Sequence, residues 1–173
     1  MIVRIGIGYD IHPFDPNRPL VLGGVRIDGA WGLRGHSDAD VLLHAICDAC
    51  LGAACLGDLG DHFPDSDARW RGAPSAVLLS QVLEMLRERG LRPVQMDSTV
   101  LAERPRLAPH RQAIRARLVE LLGIPPGRVS VKAGSNNGLD AVGRAEGMAA
   151  MAIVMLEEVP EGVAGDGAGQ RTS

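Results

Sequence analysis

The sequence predicts an α+β fold, a two-layer sandwich in which helices cover one face of a mixed sheet of four to five strands. Two observations lead there. Segments rich in β-branched residues alternate with segments of helical apolar spacing, in the order strand, strand, helix, helix, strand, helix, strand, strand. The strands are also apolar on both parities: Val3, Ile5 and Ile7 on one side, Ile2 on the other, and an almost continuous run from Met148 to Leu156. A small sheet that is apolar on both faces needs cover from other copies of the chain, so an oligomer is expected.

The elements follow in order. Residues 2–8 alternate and read as a strand. Asp10 to Pro19 contains three prolines and reads as a loop, and Leu20 to Ile27 as a second strand bent or bulged at Gly23-Gly24. Ala30 to Gly35 reads as a loop. Ser37 followed by Asp40 before Val41-Leu42-Leu43 forms a capping-box pattern, opening a helix that runs to about Leu56. Asp58 to Gly72 is polar, rich in Asp, and expected to be a long loop of the kind that binds ligands.

Ser75 can cap a second helix, stopped by Gly90 with Arg87 and Arg89 in its last turn. Leu91 to Ala102 reads as a strand, Glu103 to Ala108 as a loop, and Pro109 to Leu122 as a third helix. Val129 to Ala133 and Gly147 to Leu156 complete the sheet, separated by a turn-rich loop from Gly134 to Gly143. Residues 1–158 read as a single domain and 159–173, Gly- and Ala-rich, as a tail expected to be disordered.

Composition excludes several function classes. The net charge is −3 and no basic stripe is present, which argues against nucleic-acid binding. Aromatics make up only 3 %, too few for base-stacking platforms. No apolar run is long enough to span a bilayer and no signal peptide is read, so no membrane association is expected. Cys47, Cys50 and Cys55 are odd in number and clustered. They read as small core residues rather than a disulfide framework, in keeping with the cytoplasm.

The residues that carry chemistry begin with Asp10-Ile11-His12. Side chains two apart on an extended segment point the same way, so Asp10 and His12 can converge on one ion, and His44 can add a third ligand from the first helix. Three N/O ligands with an open fourth position are how catalytic zinc is held. A short D-x-H is common by chance, however, and a helical histidine is more often a satisfied, partly buried one. His36-Ser37-Asp38 precedes a helix N-terminus, which favours an anion, and the plainer reading of Ser37 is a cap; the two are compatible. Asp48 either orients His44 through a hydrogen bond or faces solvent. The Asp58–Asp67 loop offers carboxylates to substrate hydroxyls, or is a solvated acidic loop.

Six blocks in order, G-Y-D-I-H, G-H-S-D-A-D-V-L-L-H-A-I-C-D-A, G-D-L-G-D-H-F-P-D-S-D, R-P-R-L-A-P-H, V-K-A-G-S-N-N-G-L and G-R-A-E-G, span nearly the whole chain. The chain thereby resembles the family of 2-C-methyl-D-erythritol 2,4-cyclodiphosphate synthases. The resemblance implies a phosphorus–oxygen lyase of the non-mevalonate isoprenoid pathway, a homotrimer with active sites between subunits, and association in some members with neighbouring pathway enzymes. It implies Zn²⁺ or another divalent transition metal at Asp10, His12 and His44, and His36 and Ser135 as catalytic residues. The methylerythritol pocket would be formed by Ser37, Asp58, Leu59, Gly60, Phe63, Pro64 and Asp65. The cytidine-phosphate pocket would be formed by Ala102, Arg106, Leu107, Ala133 and Gly134.

Arg144 matches a position at the trimer's central cavity. Asn137 stands where the family has an acidic ligand for a second ion, Mg²⁺ or Mn²⁺, so weaker binding of that ion is expected. Asn137 is also the one feature compatible with a trimeric zinc- and cytidine-phosphate-binding module that has lost turnover. Ala39 replaces a common Gly, a change expected to be harmless, and Ala141 replaces a frequent aromatic of the central cavity.

Overall fold

The computed structural model describes residues 3–159, so the predicted C-terminal tail lies almost wholly outside the described residues. The strands are β1 (Val3–Leu22), β2 (Val25–Leu33), β3 (Leu91–Leu101), β4 (Val129–Gly134) and β5 (Gly147–Glu158). The helices are α1 (Val41–Ala53), α2 (Leu59–His62), α3 (Ser75–Glu88), α4 (Arg111–Leu122) and α5 (Asp140–Gly143). The five strands form one mixed sheet in the order β2-β1-β5-β3-β4, with only the β3–β4 pair parallel. This is the α+β architecture that the patterning predicts.

Several boundaries differ from expectation. The Asp10–Pro19 segment is not a loop but part of the long β1, which pairs with β5 as far as Pro13 and with β2 from Phe14 onward. The register breaks between Asp15 and Pro19, so two of the three prolines sit at an irregularity, where a missing N–H costs no ladder bond. Gly23 and Gly24, both left-handed (φ 59° and 73°), form the two-residue turn between β1 and β2, not a bend within one strand. β2 then runs through the expected loop at Ala30–Leu33. The long loop after Asp58 contains α2 and a 3₁₀ turn at Ala68–Trp70. Cys47 and Cys50 are buried as expected, but Cys55 is exposed.

Helix α1 is almost wholly buried and lies directly on the sheet. Its approach is set by small residues. A Cβ added at Gly6 or Gly8 would stand 2.0 Å from the carbonyl oxygen of Ala49 or Ala45, respectively. Gly6, Gly8, Asp10 and His12 share a strand face, so the seam that admits the helix continues directly into the two candidate ligands. The opposite face of the sheet leaves Val3, Ile5, Ile7, Tyr9 and Ile11 of β1 and Met151 and Ile153 of β5 exposed in the single chain. The apolar character of both sheet faces is therefore real.

Candidate active site

Oδ2 of Asp10 lies 2.9 Å from Nε2 of His12 and 2.9 Å from Nδ1 of His44, and the two nitrogens are 3.1 Å apart. Ligands at about 2.0–2.1 Å around a tetrahedral ion stand about 3.3 Å from one another, so this triangle is close to one face of such a shell. Two imidazoles and one carboxylate form a donor set that suits zinc or another divalent transition ion, and the three residues could hold one. Burial alone would raise the Asp10 carboxyl. The hydrogen bonds and charges of His12 and His44 outweigh it and hold the group well below the usual carboxylate range. Burial depresses His44, but Asp10 more than compensates and its pKa is raised.

The far side of the His44 ring is also fixed. Its Nε2 lies 2.9 Å from Oγ of Ser37 and 3.0 Å from Oγ of Ser75, both hydroxyls being buried. Ser75 Oγ donates to Oδ1 of Asp38, whose Oδ2 accepts the Ser75 backbone N–H at 3.0 Å. Ser37 is therefore not the helix cap. Asp40 is: its carboxylate accepts the N–H of Leu43 (3.1 Å) and reaches back to those of Gly23 (2.9 Å) and Gly24 (2.7 Å). Asp40 is fully buried, and burial raises its pKa to about 6 despite these three bonds. Ser75, in turn, does not cap α3 but opens it, with Asp38 serving its N–H from outside. Asp48 neither orients His44 nor stands free in solvent. Its Oδ1 accepts the Leu59 N–H at 2.8 Å and ties α2 to α1.

His12 and His44 open into a cavity of about 330 Å³. His36, Ser37, Leu59, Gly60, Phe63 and Asp65 line it, together with Trp70 and Leu78, which sequence reasoning missed. Trp70 packs edge-on against Phe63 at 4.9 Å, a contact that no spacing rule reveals. His36 is held by its surroundings. Arg18 donates to the carbonyls of Gly35 (2.7 Å) and Ser37, and His36 Nε2 lies 3.3 Å from the Asp67 carbonyl. Asp58 caps α2 through a reciprocal box with Asp61 and does not line the cavity; neither does Pro64.

A second cavity, of about 430 Å³, is lined by Ala102, Arg106, Leu107, Ala133, Gly134 and Ser135, together with Glu103 and Arg111. Ala102 donates its N–H to the Gly134 carbonyl at 3.0 Å, joining the two segments. Asn137 lies outside this lining, with Oδ1 3.5 Å from Ser135 Oγ. Arg144 lines neither cavity and pairs with Glu146 at 2.7 Å. The two cavities share no residue. Ile11, Ala149, Leu101 and Gly134 form one row across the sheet. Gly134 therefore stands three strand spacings, about 14 Å, from β1, the strand that carries Asp10 and His12.

Comparison with known proteins matches this geometry to a family. The model of the YgbB family matches residues 3–157. A 2-C-methyl-D-erythritol 2,4-cyclodiphosphate synthase of Desulfosudis oleivorans is 53 % identical over 168 residues, covering 96 % of this chain and 100 % of the relative. The bifunctional IspDF of Campylobacter jejuni superposes with a TM-score of 0.87 at 41 % identity, covering 91 % of this chain and 42 % of that one. A 2C-methyl-D-erythritol-2,4-cyclodiphosphate synthase structure in a CDP-bound form superposes with a TM-score of 0.83 at 38 % identity, covering 89 % of this chain and 100 % of that one.

Proposed function

The chain belongs to the YgbB family, and from that premise we propose that it converts 4-diphosphocytidyl-2-C-methyl-D-erythritol 2-phosphate to 2-C-methyl-D-erythritol 2,4-cyclodiphosphate, releasing CMP. An oxygen of the substrate's 2-phosphate attacks the β-phosphorus, the bond from that phosphorus to the bridging oxygen breaks, and CMP leaves with that oxygen. No water is consumed. The reaction is an intramolecular phosphoryl transfer, so the protein's work is alignment and charge neutralisation.

One observation carries the reading: the Asp10–His12–His44 cluster faces a cavity lined by His36, Ser37, Leu59, Gly60, Phe63 and Asp65. A zinc or similar ion held there supplies Lewis-acid polarisation of a phosphate oxygen. His36 stands beside it as a donor to the crowded phosphates. Ser37, Leu59, Gly60, Phe63 and Asp65, with Asp58 acting through the α2 cap, enclose the methylerythritol portion. Ala102, Arg106, Leu107, Ala133 and Gly134 take the cytidine, with Ser135 donating to the phosphate between the two halves.

The two half-sites lie about 14 Å apart across the sheet, and one sheet face is an uncovered apolar surface. Both features support a homotrimer in which the metal half of one subunit meets the cytidine half of its neighbour. Arg144, away from both cavities, belongs in this reading to the central contact. Asn137 offers a neutral oxygen to Mg²⁺ or Mn²⁺ and so needs a higher concentration of that ion than a carboxylate would. A cytoplasmic location and association with neighbouring pathway enzymes complete the reading. The bifunctional relative supports the latter, and cell fractionation followed by cross-linking would check both.

The test is direct. Purified protein incubated with the substrate and Mg²⁺ and followed by phosphorus NMR should give CMP and a cyclic diphosphate in equal amounts. Unchanged substrate in the presence of bound zinc would instead favour a binding module without turnover. In the same assay, Asn137→Glu should lower the Mg²⁺ concentration required; an unchanged requirement removes Asn137 from the second site.

A further inference from the structure

Glu103 was not singled out by any motif, yet its side chain makes the link between two loops of the second cavity. Its Oε1 accepts the backbone N–H of Asn136 at 3.0 Å and, at a longer 3.4 Å, that of Gly138. Asn137 and Gly138 are left-handed (φ 51° and 79°), and the chain turns there so that the N–H groups of Asn136 and Gly138 meet the Glu103 carboxylate while that of Asn137 meets Ser135. The segment so held carries Ser135, whose Oγ accepts the Asn137 N–H at 3.3 Å.

Glu103 is itself kept in place by its neighbour. The Arg104 guanidinium stacks on Trp31 of β2 at 4.2 Å from the ring centroid and lies 5.4 Å from that of Phe14 of β1. Phe14 is two residues beyond the ligand His12 on the same strand. The Glu103-Arg104 pair therefore joins the Ser135 loop, the 102–108 loop and the metal-bearing strand.

We infer that Glu103 is a positioning residue for Ser135: by accepting the Asn136 and Gly138 N–H groups, it fixes the loop that presents the serine hydroxyl to the bound diphosphate. The kinetic part of this inference rests on the synthase reading. What the loop needs from Glu103 is an acceptor oxygen rather than a charge, so glutamine serves where alanine does not.

The experiment compares Glu103→Ala, Glu103→Gln and Ser135→Ala. Glu103→Ala should lower kcat about tenfold, the cost of leaving the Asn136 and Gly138 N–H groups without their acceptor. Zinc content should stay unchanged, and Glu103→Ala in the Ser135→Ala background should add little further loss. Glu103→Gln should recover most of the rate. Wild-type kcat in Glu103→Ala, or equal loss in Glu103→Ala and Glu103→Gln, overturns the inference.

Amide NMR separates this from the synthase reading. The Asn136 N–H resonance should move upfield in Glu103→Ala but not in Glu103→Gln, whether or not the wild-type chain releases CMP. An Asn136 resonance indifferent to Glu103→Ala overturns the positioning role on its own. Absence of CMP from the wild-type chain with the expected NMR pattern overturns only the synthase reading.

Discussion

Nε2 of His44 lies 3.0 Å from Oγ of Ser75, the first residue of α3. Because Ser75 spends its own proton on Asp38, it can only accept from His44. That keeps a proton on Nε2, so the proton that Nδ1 shares with Asp10 is the one a metal ion at Asp10, His12 and His44 would displace. Ser75→Ala should therefore weaken zinc binding about tenfold, toward the low end for such supporting contacts because Ser37 remains. Competition against a chromophoric chelator measures it, and an unchanged Kd would show that Ser37 alone sets the tautomer.

The contact between β1 and α1 has no room to spare. The Cβ of Gly8→Ala would meet the Ala45 carbonyl oxygen at 2.0 Å, a backbone atom that no rotamer change can move. Overpacking a core costs about 1–3 kcal/mol, occasionally more, and this site belongs at the upper end. Displacing α1 also carries His44 away from Asp10. Urea denaturation should show a loss of about 3 kcal/mol or more, with zinc affinity falling in the same variant.

Ala39 is buried and left-handed, with φ of 58°. The substitution of alanine for the family's common glycine is therefore not neutral, since an L-residue in this region pays about 1–2 kcal/mol for its Cβ. Part of that is returned by the lower entropy of the unfolded chain. Ala39→Gly should raise stability by about 0.5–1 kcal/mol, read as a higher urea midpoint at unchanged m-value. A lower midpoint would mean that the packing of the Ala39 methyl outweighs the strain.

Asp40 gives the fold a pH dependence of definite sign. Its folded pKa of about 6 lies above the ordinary 3.8 because burial penalises the charge. Its contribution is therefore full below 3.8 and is lost as pH rises through 6. Asp10 has the opposite sign: its depressed pKa stabilises above 3.8 and the gain is lost below. The two windows do not overlap. In metal-free protein the stability of wild type relative to Asp40→Asn should fall between pH 4 and 6, with a slope of at most about 1.4 kcal/mol per pH unit. A flat difference would show that the three backbone N–H groups hold Asp40 ionised throughout.

Much of the sheet and of the metal set is legible in the sequence because both depend on short-range periodicity. Alternation places Asp10 and His12 on one face, and an apolar helix opening after the Ser37–Asp40 segment delivers His44. The prolines of β1 hide the strand, because their tolerance depends on an irregular register that only the paired strands define. Ser37 looks like a cap because its spacing to Asp40 fits one. Its burial against Ser75, 38 residues away, is a tertiary fact. Trp70, Arg18 and Glu103 escape notice for the same reason, as does the contact of Ser75 with His44. Each acts on a segment remote in sequence, and nothing local distinguishes it from an ordinary helix, turn or loop residue.

The claim that one reaction centre joins half-sites from different chains is tested most directly by complementation. His44→Ala removes a metal ligand, and Ser135→Ala removes the hydroxyl of the other half. Each homo-oligomer should be nearly inactive. Co-expressed in equal amounts, random mixing in a cyclic oligomer leaves about a quarter of the interfaces with both halves intact, so about a quarter of wild-type CMP release should return. Mixed oligomers that remain as inactive as either parent would contradict an intersubunit site and confine the chemistry to one chain.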